Sequence, residues 1–231
     1  MTILCIETST SVCSAAICKD GSLIKQCISF EGSNHAKLLP LYIEELLAFS
    51  REQKMCIEAV ALSEGPGSYT GLRIGTSTAK GLCYGLNIPL IPVPTLEVLC
   101  EAVQSKIENR ESKIILIPMI DARRMEVYTM LDGETKAVVV ENEESFIANS
   151  QELTANSQIY YFGDGAAKCT KVFTSPNWHF IPDIVPEAQY VGVLAENRKS
   201  IIDNRKSDLA YYEPYYLKEF IAAQSHVKGL I

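Results

Sequence analysis

The stretch Ser63-Glu64-Gly65-Pro66-Gly67-Ser68-Tyr69-Thr70-Gly71-Leu72-Arg73-Ile74-Gly75 joins an apolar run to a helix-compatible one. A strand, a glycine-rich turn and an open helix N-terminus would turn unpaired backbone N–H groups toward an anion. The loop nevertheless lacks the Gly-Lys-Ser/Thr ending that brings a lysine and a metal-binding hydroxyl to phosphate. Ser9, Ser63 and Ser68 are candidate nucleophiles, yet no Gly-x-Ser-x-Gly elbow surrounds any of them. Ser68 reads better as the cap of the following helix. His35, His179 and His226 are too far apart to share a helical turn, so no metal site is expected. His35 reads as a helix-start or interface residue and His179, beside Trp178, as packing. The eight cysteines mostly lie in apolar runs without a Cys-x-x-Cys pair, which reads as buried reduced thiols rather than disulfides or zinc ligands.

The elements that must position these residues follow from apolar periodicity and turn signals. Strands are expected at Thr2–Glu7, Val12–Cys18 and Leu23–Phe30, with Asp20-Gly21 closing a hairpin. Asn34 is expected to cap a helix over His35–Phe49, with Pro40 tolerable only in its early turns. A strand over Ile57–Leu62 precedes the glycine loop, and a helix over Thr70–Leu86 follows it. Glycines in that helix each cost about 1 kcal/mol against alanine, so another backbone or a ligand must come close. Pro89–Val93 is a further strand, and Thr95 opens a helix to about Lys106.

The polar stretch Gln104–Lys113 divides two units, 1–107 and 108–231. The second repeats the opening with strands Ile114–Ile120, Met125–Leu131 and Lys136–Val140, the last two joined by Asp132-Gly133. A short helix Glu143–Ala148, a strand Gln158–Phe162 leading through Gly163-Asp164-Gly165 into a helix, a helix Glu187–Ile202 and an extended segment Leu209–Leu217 complete it. The pattern is α/β, with mixed sheets flanked by helices and a hint of duplication.

With a net charge of −7, unaided binding to a nucleic-acid backbone is disfavoured, so any RNA role would pass through a partner. No leader pattern and no membrane-length apolar run is visible, which implies a cytoplasmic protein.

Ile3-Leu4-Cys5-Ile6-Glu7-Thr8-Ser9-Thr10, the Gly65–Gly75 string, Pro94-Thr95-Leu96 and Ile120-Asp121-Ala122-Arg123 together resemble the TsaB family of tRNA threonylcarbamoyladenosine biosynthesis, earlier described as glycoprotease-like. The likeness is close over the first half and thins to Gly163-Asp164-Gly165 and Glu213-Pro214-Tyr215-Tyr216-Leu217. It implies the duplicated actin/hexokinase/Hsp70-like fold and a non-catalytic subunit without a cofactor. Its partners would be the TsaD transferase, which binds the tRNA, and the TsaE ATPase, with homodimers forming when the chain is alone. The alternative is a nucleotide-dependent kinase or ATPase of the same fold.

In active members of that fold, two hairpin loops clamp the phosphates. Here the resemblance puts the first at Glu7, Thr8 and Ser9, and the second at Asp121 and Arg123 with Arg124. The arginines stand where glycine and a hydroxyl belong; they would either obstruct phosphate or pair with its oxygens. Glu7 is either a polar strand end or a residual anion or metal contact. Surplus apolar residues on the first helix and small ones on the glycine helix suggest a shared partner face of His35, Leu38, Leu39, Tyr42, Leu46, Leu72, Arg73, Gly75, Thr76, Ala79 and Lys80. On this reading Arg73 and Lys80 form a solvated edge or meet acidic groups of the partner. A bulky residue at Gly75 would weaken partner binding and leave the monomer folded.

Overall fold

The structure is a computed structural model that describes residues 1–32, 34–104, 106–107, 114–154, 157–198 and 209–218. Strands β1 (Thr2–Glu7), β2 (Cys13–Lys19), β3 (Ser22–Ser29), β4 (Ala59–Gly65) and β5 (Leu90–Pro94) form one sheet in the order β3-β2-β1-β4-β5. The pairs β1–β2 and β2–β3 are antiparallel, and β1–β4 and β4–β5 are parallel. Helix α1 (His35–Glu52) links β3 to β4, α2 (Tyr69–Leu86) links β4 to β5, and α3 (Thr95–Gln104) follows β5.

The second sheet contains β6 (Ile114–Asp121), β7 (Glu126–Leu131), β8 (Glu134–Val139), β9 (Gln158–Phe162) and β10 (Trp178–Ile181) in the order β10-β9-β6-β7-β8. Read from its other edge this is the same order, with the same antiparallel and parallel pairs, so the fold is duplicated. Helices α4 (Glu143–Ile147) and α5 (Ala188–Asn197) complete the described helices. Strand β10 has no counterpart in the sequence reading, since four residues of it carry too little alternation to stand out.

Period-two alternation explains the layers. Leu4, Ile6, Ile17, Val60 and Leu62 face α1 and α2, which contribute Leu39, Ile43, Leu46, Ala79 and Cys83. Ile3, Cys5, Cys18, Ala61 and Val93 face the opposite way, onto Val98 of α3 and Ala188, Val191 and Ala195 of α5. Helix α3 also gives Leu96, Leu99 and Val103 to a cluster with Ile120 and Phe162 of the second sheet, so it joins the two sheets. The spatial units therefore depart from the chain halves: α5 lies beyond residue 107 but packs on the first sheet.

Local signals mostly act as their chemistry dictates. Asp20-Gly21 and Asp132-Gly133 both take the left-handed conformations of a tight hairpin. Ser68 caps α2 by accepting from Gly71 N at 3.3 Å. Asn34 does not cap α1 with its side chain; its carbonyl instead accepts from Lys37 N and Leu38 N. Pro40 is the sixth residue of α1, past the first turn, so the helix forgoes the bond that an N–H there would make to the Ala36 carbonyl. After Gly163-Asp164-Gly165 there is a 3-10 turn at Ala167–Cys169 in place of the expected helix. The segment expected to be extended from Leu209 begins with a 3-10 turn over Leu209–Tyr211. Of the eight cysteines, Cys5, Cys13, Cys18, Cys83 and Cys169 are buried thiols.

Helix α5 approaches the first sheet through Gly192, where a Cβ would lie 2.6 Å from the Cys18 Cβ and 2.3 Å from its sulfur. Gly192→Ala gains at most about 1 kcal/mol of helix propensity and overpacks this contact by about 1–3 kcal/mol. Urea unfolding should show net destabilisation; an equal or raised midpoint would mean that α5 does not sit this closely.

Candidate functional site: two clamp loops and the surface of the second helix

The β1–β2 turn carries the first candidate loop, and it is buried: Glu7 and Ser9 are 0% exposed and Thr8 2%. Glu7 accepts from Ser9 N at 2.6 Å and Ser9 Oγ at 2.5 Å, and its other oxygen accepts from Ser63 Oγ. Burial raises its pKa; the hydrogen bonds from Ser63 and Ser9 oppose the shift, and the charge of Asp164 adds to it.

The glycine-rich segment closes directly over this turn. A Cβ on Gly67 would stand 2.3 Å from Ser9 O, one on Gly71 2.0 Å from Thr8 O, and one on Gly75 2.4 Å from Thr8 Oγ1. Thr8 Oγ1 donates to Gly71 O at 2.8 Å, and Ser68 N donates to Ser9 O at 2.6 Å. The small residues thus admit the chain's own turn. Two of the open N–H groups at the helix start are engaged within the chain, Ser68 N by Ser9 O and Gly71 N by the Ser68 hydroxyl.

The second loop is the β6–β7 turn. Lys168 bonds the Asp121 carboxylate and also donates to Glu126 O at 2.6 Å. Asp121 accepts from Arg123 N at 3.1 Å, and Asp164 accepts from Asp121 N at 3.1 Å. Asp164 stays exposed on one side, while the protein packed around its carboxyl, and then the Asp121 charge, raise its pKa. Arg123 and Arg124 are exposed and both left-handed, with φ of 68° and 49°. An ammonium therefore sits on the aspartate where a clamp would leave it open. Among the described residues no three or more His, Cys, Asp or Glu side chains are grouped to hold a metal. His179 bonds Gln158 and stacks on Tyr160, and His226 lies outside the described residues.

Most residues expected at the partner face lie inside the chain instead. His35, Leu39, Leu46, Leu72, Gly75, Thr76 and Ala79 are buried inside the chain, and His35 Nε2 lies 3.2 Å from Val12 O. Leu38 and Tyr42 are half-buried against the same core. Arg73, exposed, and Lys80, half-buried, both reach the C-terminal segment of the chain itself. Arg73 lies over the Tyr69 ring at 4.3 Å and donates to Tyr216 Oη at 3.4 Å; Lys80 donates to Ala210 O at 2.7 Å and Tyr212 O at 3.0 Å. They hold residues 209–218 along α2. Tyr215 N donates to Glu64 O at 2.7 Å, and Lys218 pairs with Glu126 of the second sheet.

What α2 presents outward is a different set. Ser77, Gly81, Tyr84 and Gly85 are exposed, and no atom lies within 4 Å of a Cβ position at Gly81 or Gly85. Beside them an open groove of 610 Å³ runs between α1 and α2, lined by Pro40, Glu44, Ala48, Ser77 and Gly81 among others. The helical period shows which glycines share a face, but it could not separate the face meeting Thr8 from the face left open. A cavity of 1090 Å³ lies between the end of α2, β5 and residues 209–212. Its walls, including Cys83, Tyr84, Leu90 and Leu209, are mostly apolar, and no residue of either loop lines it.

Comparison with known proteins follows this geometry. The sequence pattern of the family described as TsaD, tRNA N6-adenosine threonylcarbamoyltransferase, matches residues 30–224. The tRNA threonylcarbamoyladenosine biosynthesis protein TsaB of Bacillus subtilis is 28% identical over all of this chain and 92% of its own. TsaB of Escherichia coli is 35% identical over 55% of this chain and 53% of its own, about half of each. The solved structure of YeaZ from Pseudomonas aeruginosa superposes with a TM-score of 0.70 at 22% identity, covering 94% of this chain and 99% of that one, and shows the same fold.

Two outcomes follow. Gly71→Ala should destabilise the monomer by about 1–3 kcal/mol despite its helix propensity, and Gly75→Leu by more, while Gly81→Ala should stabilise it by up to about 1 kcal/mol. Thermal melts that rank the three otherwise would remove the α2–turn contact. Glu7 binds its proton more tightly folded than unfolded, so its contribution is full below pH 4.5, the ordinary value, and is lost as pH rises through the raised folded pKa. Each unit of elevation is worth about 1.4 kcal/mol. Relative to Glu7→Gln, wild-type stability should therefore decline above pH 4.5; a difference flat from pH 4 to 8 would contradict the shift.

Proposed function

The chain belongs to the TsaB family of tRNA threonylcarbamoyladenosine biosynthesis proteins, within the wider group matched by the TsaD pattern, and from that premise we propose that it works as a non-catalytic scaffold subunit. One observation carries the reading: the chain's own glycine helix packs backbone to backbone on the first clamp loop, whose acidic residue Glu7 is buried and hydrogen-bonded within the chain. The Lys168–Asp121 pair at the second loop supports it. A kinase or ATPase of this fold would have to reopen both.

The work of such a subunit is done by its surface. The partner is a TsaD-like transferase, which holds the tRNA, with a TsaE-like ATPase joining the pair in the cytoplasm. The docking surface is the α1–α2 groove with the open stripe Ser77, Gly81, Tyr84 and Gly85. Because the TsaD pattern spans most of this chain, the partner has a related fold and can offer its own helical layer to that groove. The two open glycines permit close approach of its backbone, and 1,600 Å² is about the area such a specific contact requires. A second copy of the chain would use the same surface, so homodimer and heterodimer compete. Among the described residues no helix is long and apolar enough to cross a membrane.

Gly81→Arg, at an exposed helical position, should leave the melting temperature unchanged or raised. It should weaken capture of the TsaD-like subunit at least tenfold, about 1.4 kcal/mol. Undiminished capture would place the partner elsewhere. Calorimetric titration with ATP and magnesium should give no saturable heat from the isolated chain; a stoichiometric isotherm would return the enzyme reading.

A further inference from the structure

The geometry points to the β6–β7 turn as a phosphate-contacting tip that lays Arg123 and Arg124 against the tRNA backbone when the chain is assembled with its partner. This rests on the scaffold reading and extends it, because the acidic balance of the whole chain, −7, led to the expectation that tRNA is met only through the partner.

The local charge differs from the global one. Asp121 is paired with Lys168 and Glu126 with Lys218, so the two nearest acids are already neutralised. Among the described residues neither arginine side chain has an ion pair or hydrogen bond, and both are exposed. Asp164, exposed and bonded to Asp121 N, is the opposing charge. Two guanidinium groups against one carboxylate leave the turn with a net positive charge.

The turn is also built to stay put. Asp121 Oδ1 accepts from Arg123 N, Glu126 N donates to Arg123 O, and Ala122 N donates to Glu126 O, each at 3.1 Å. Left-handed backbone at two successive arginines is unfavourable where glycine or asparagine would be at ease. The other two tight hairpins of the chain use Asp-Gly for that geometry. What arginine offers at these positions is its side chain, whose fork matches phosphate oxygens. Neither cavity described above includes these residues. A projecting tip cannot enclose a free nucleotide but can rest on an extended polyanion, which selects RNA over a small phosphate ligand.

The test is the double variant Arg123→Gly/Arg124→Gly, which removes both charges and relaxes the backbone, so folding is spared. Labelled tRNA is titrated with the assembled complex over a range of salt, and gel filtration of the same samples reports assembly. Unchanged assembly is expected, with tRNA affinity about tenfold weaker at 0.1 M salt and the slope of log K against log salt reduced by about 1 to 2, one contact per arginine. Arg→Lys at both positions should recover most of the slope. Equal affinity and slope with assembly intact would overturn the proposal, as would a loss reproduced by free phosphate competing at millimolar concentration, which indicates a small-anion site. Should the wild-type chain fail to assemble, the scaffold reading falls. Arginine-dependent retardation of tRNA by the isolated chain would then still uphold the tip, and its absence would sink it.

Discussion

Backbone-on-backbone contact between the glycine helix and the Thr8–Ser9 turn is the constraint from which the other features follow. Gly71 and Gly75 stand one turn apart on α2 and Gly67 just before it, so the start of the helix lies flush on the turn. That contact buries Glu7 without a cation, leaving hydroxyl and amide donors to hold it. It engages Ser68 N at the helix start and fixes which side of α2 faces outward.

The duplicated second sheet meets a similar problem with different chemistry. Its turn keeps an aspartate, but Lys168 supplies the positive charge internally, and two arginines occupy the corner. The segment 209–218 then ties the two sheets. It is clamped along α2 by Arg73 and Lys80, joined to β4 through Tyr215 and to β7 through Lys218. Cations that look available in the sequence are committed to this belt, whereas those of the β6–β7 turn are not. Surface function consequently divides between the open side of α2 and the tip of the second loop.

Much of the fold was legible because its signals are local. Strand alternation, Asp-Gly hairpins, the Ser68 cap and the run of glycines each depend on residues within a few positions of one another. The repeated strand opening of the two halves pointed to duplication for the same reason. Short elements escaped: β10 has too few residues for a period, and the turn after Gly165 carries helix-compatible residues that the tertiary path stops after one turn. The Asn34 side chain makes no cap although the residue type was right, since its backbone, at φ −109° and ψ 15°, is not in the extended conformation of a capping residue.

The sequence by itself determined that several glycines in one helix must be met closely, that the reactive parts of a phosphate loop are missing, and that the fold is α/β and doubled. Only the tertiary structure decided what meets those glycines, which of the apolar residues are interior, and which cations are already engaged. A side chain's own chemistry states what kind of neighbour it requires. The identity of that neighbour depends on segments dozens of residues away, brought together by sheet pairing and helix packing that no local spacing encodes.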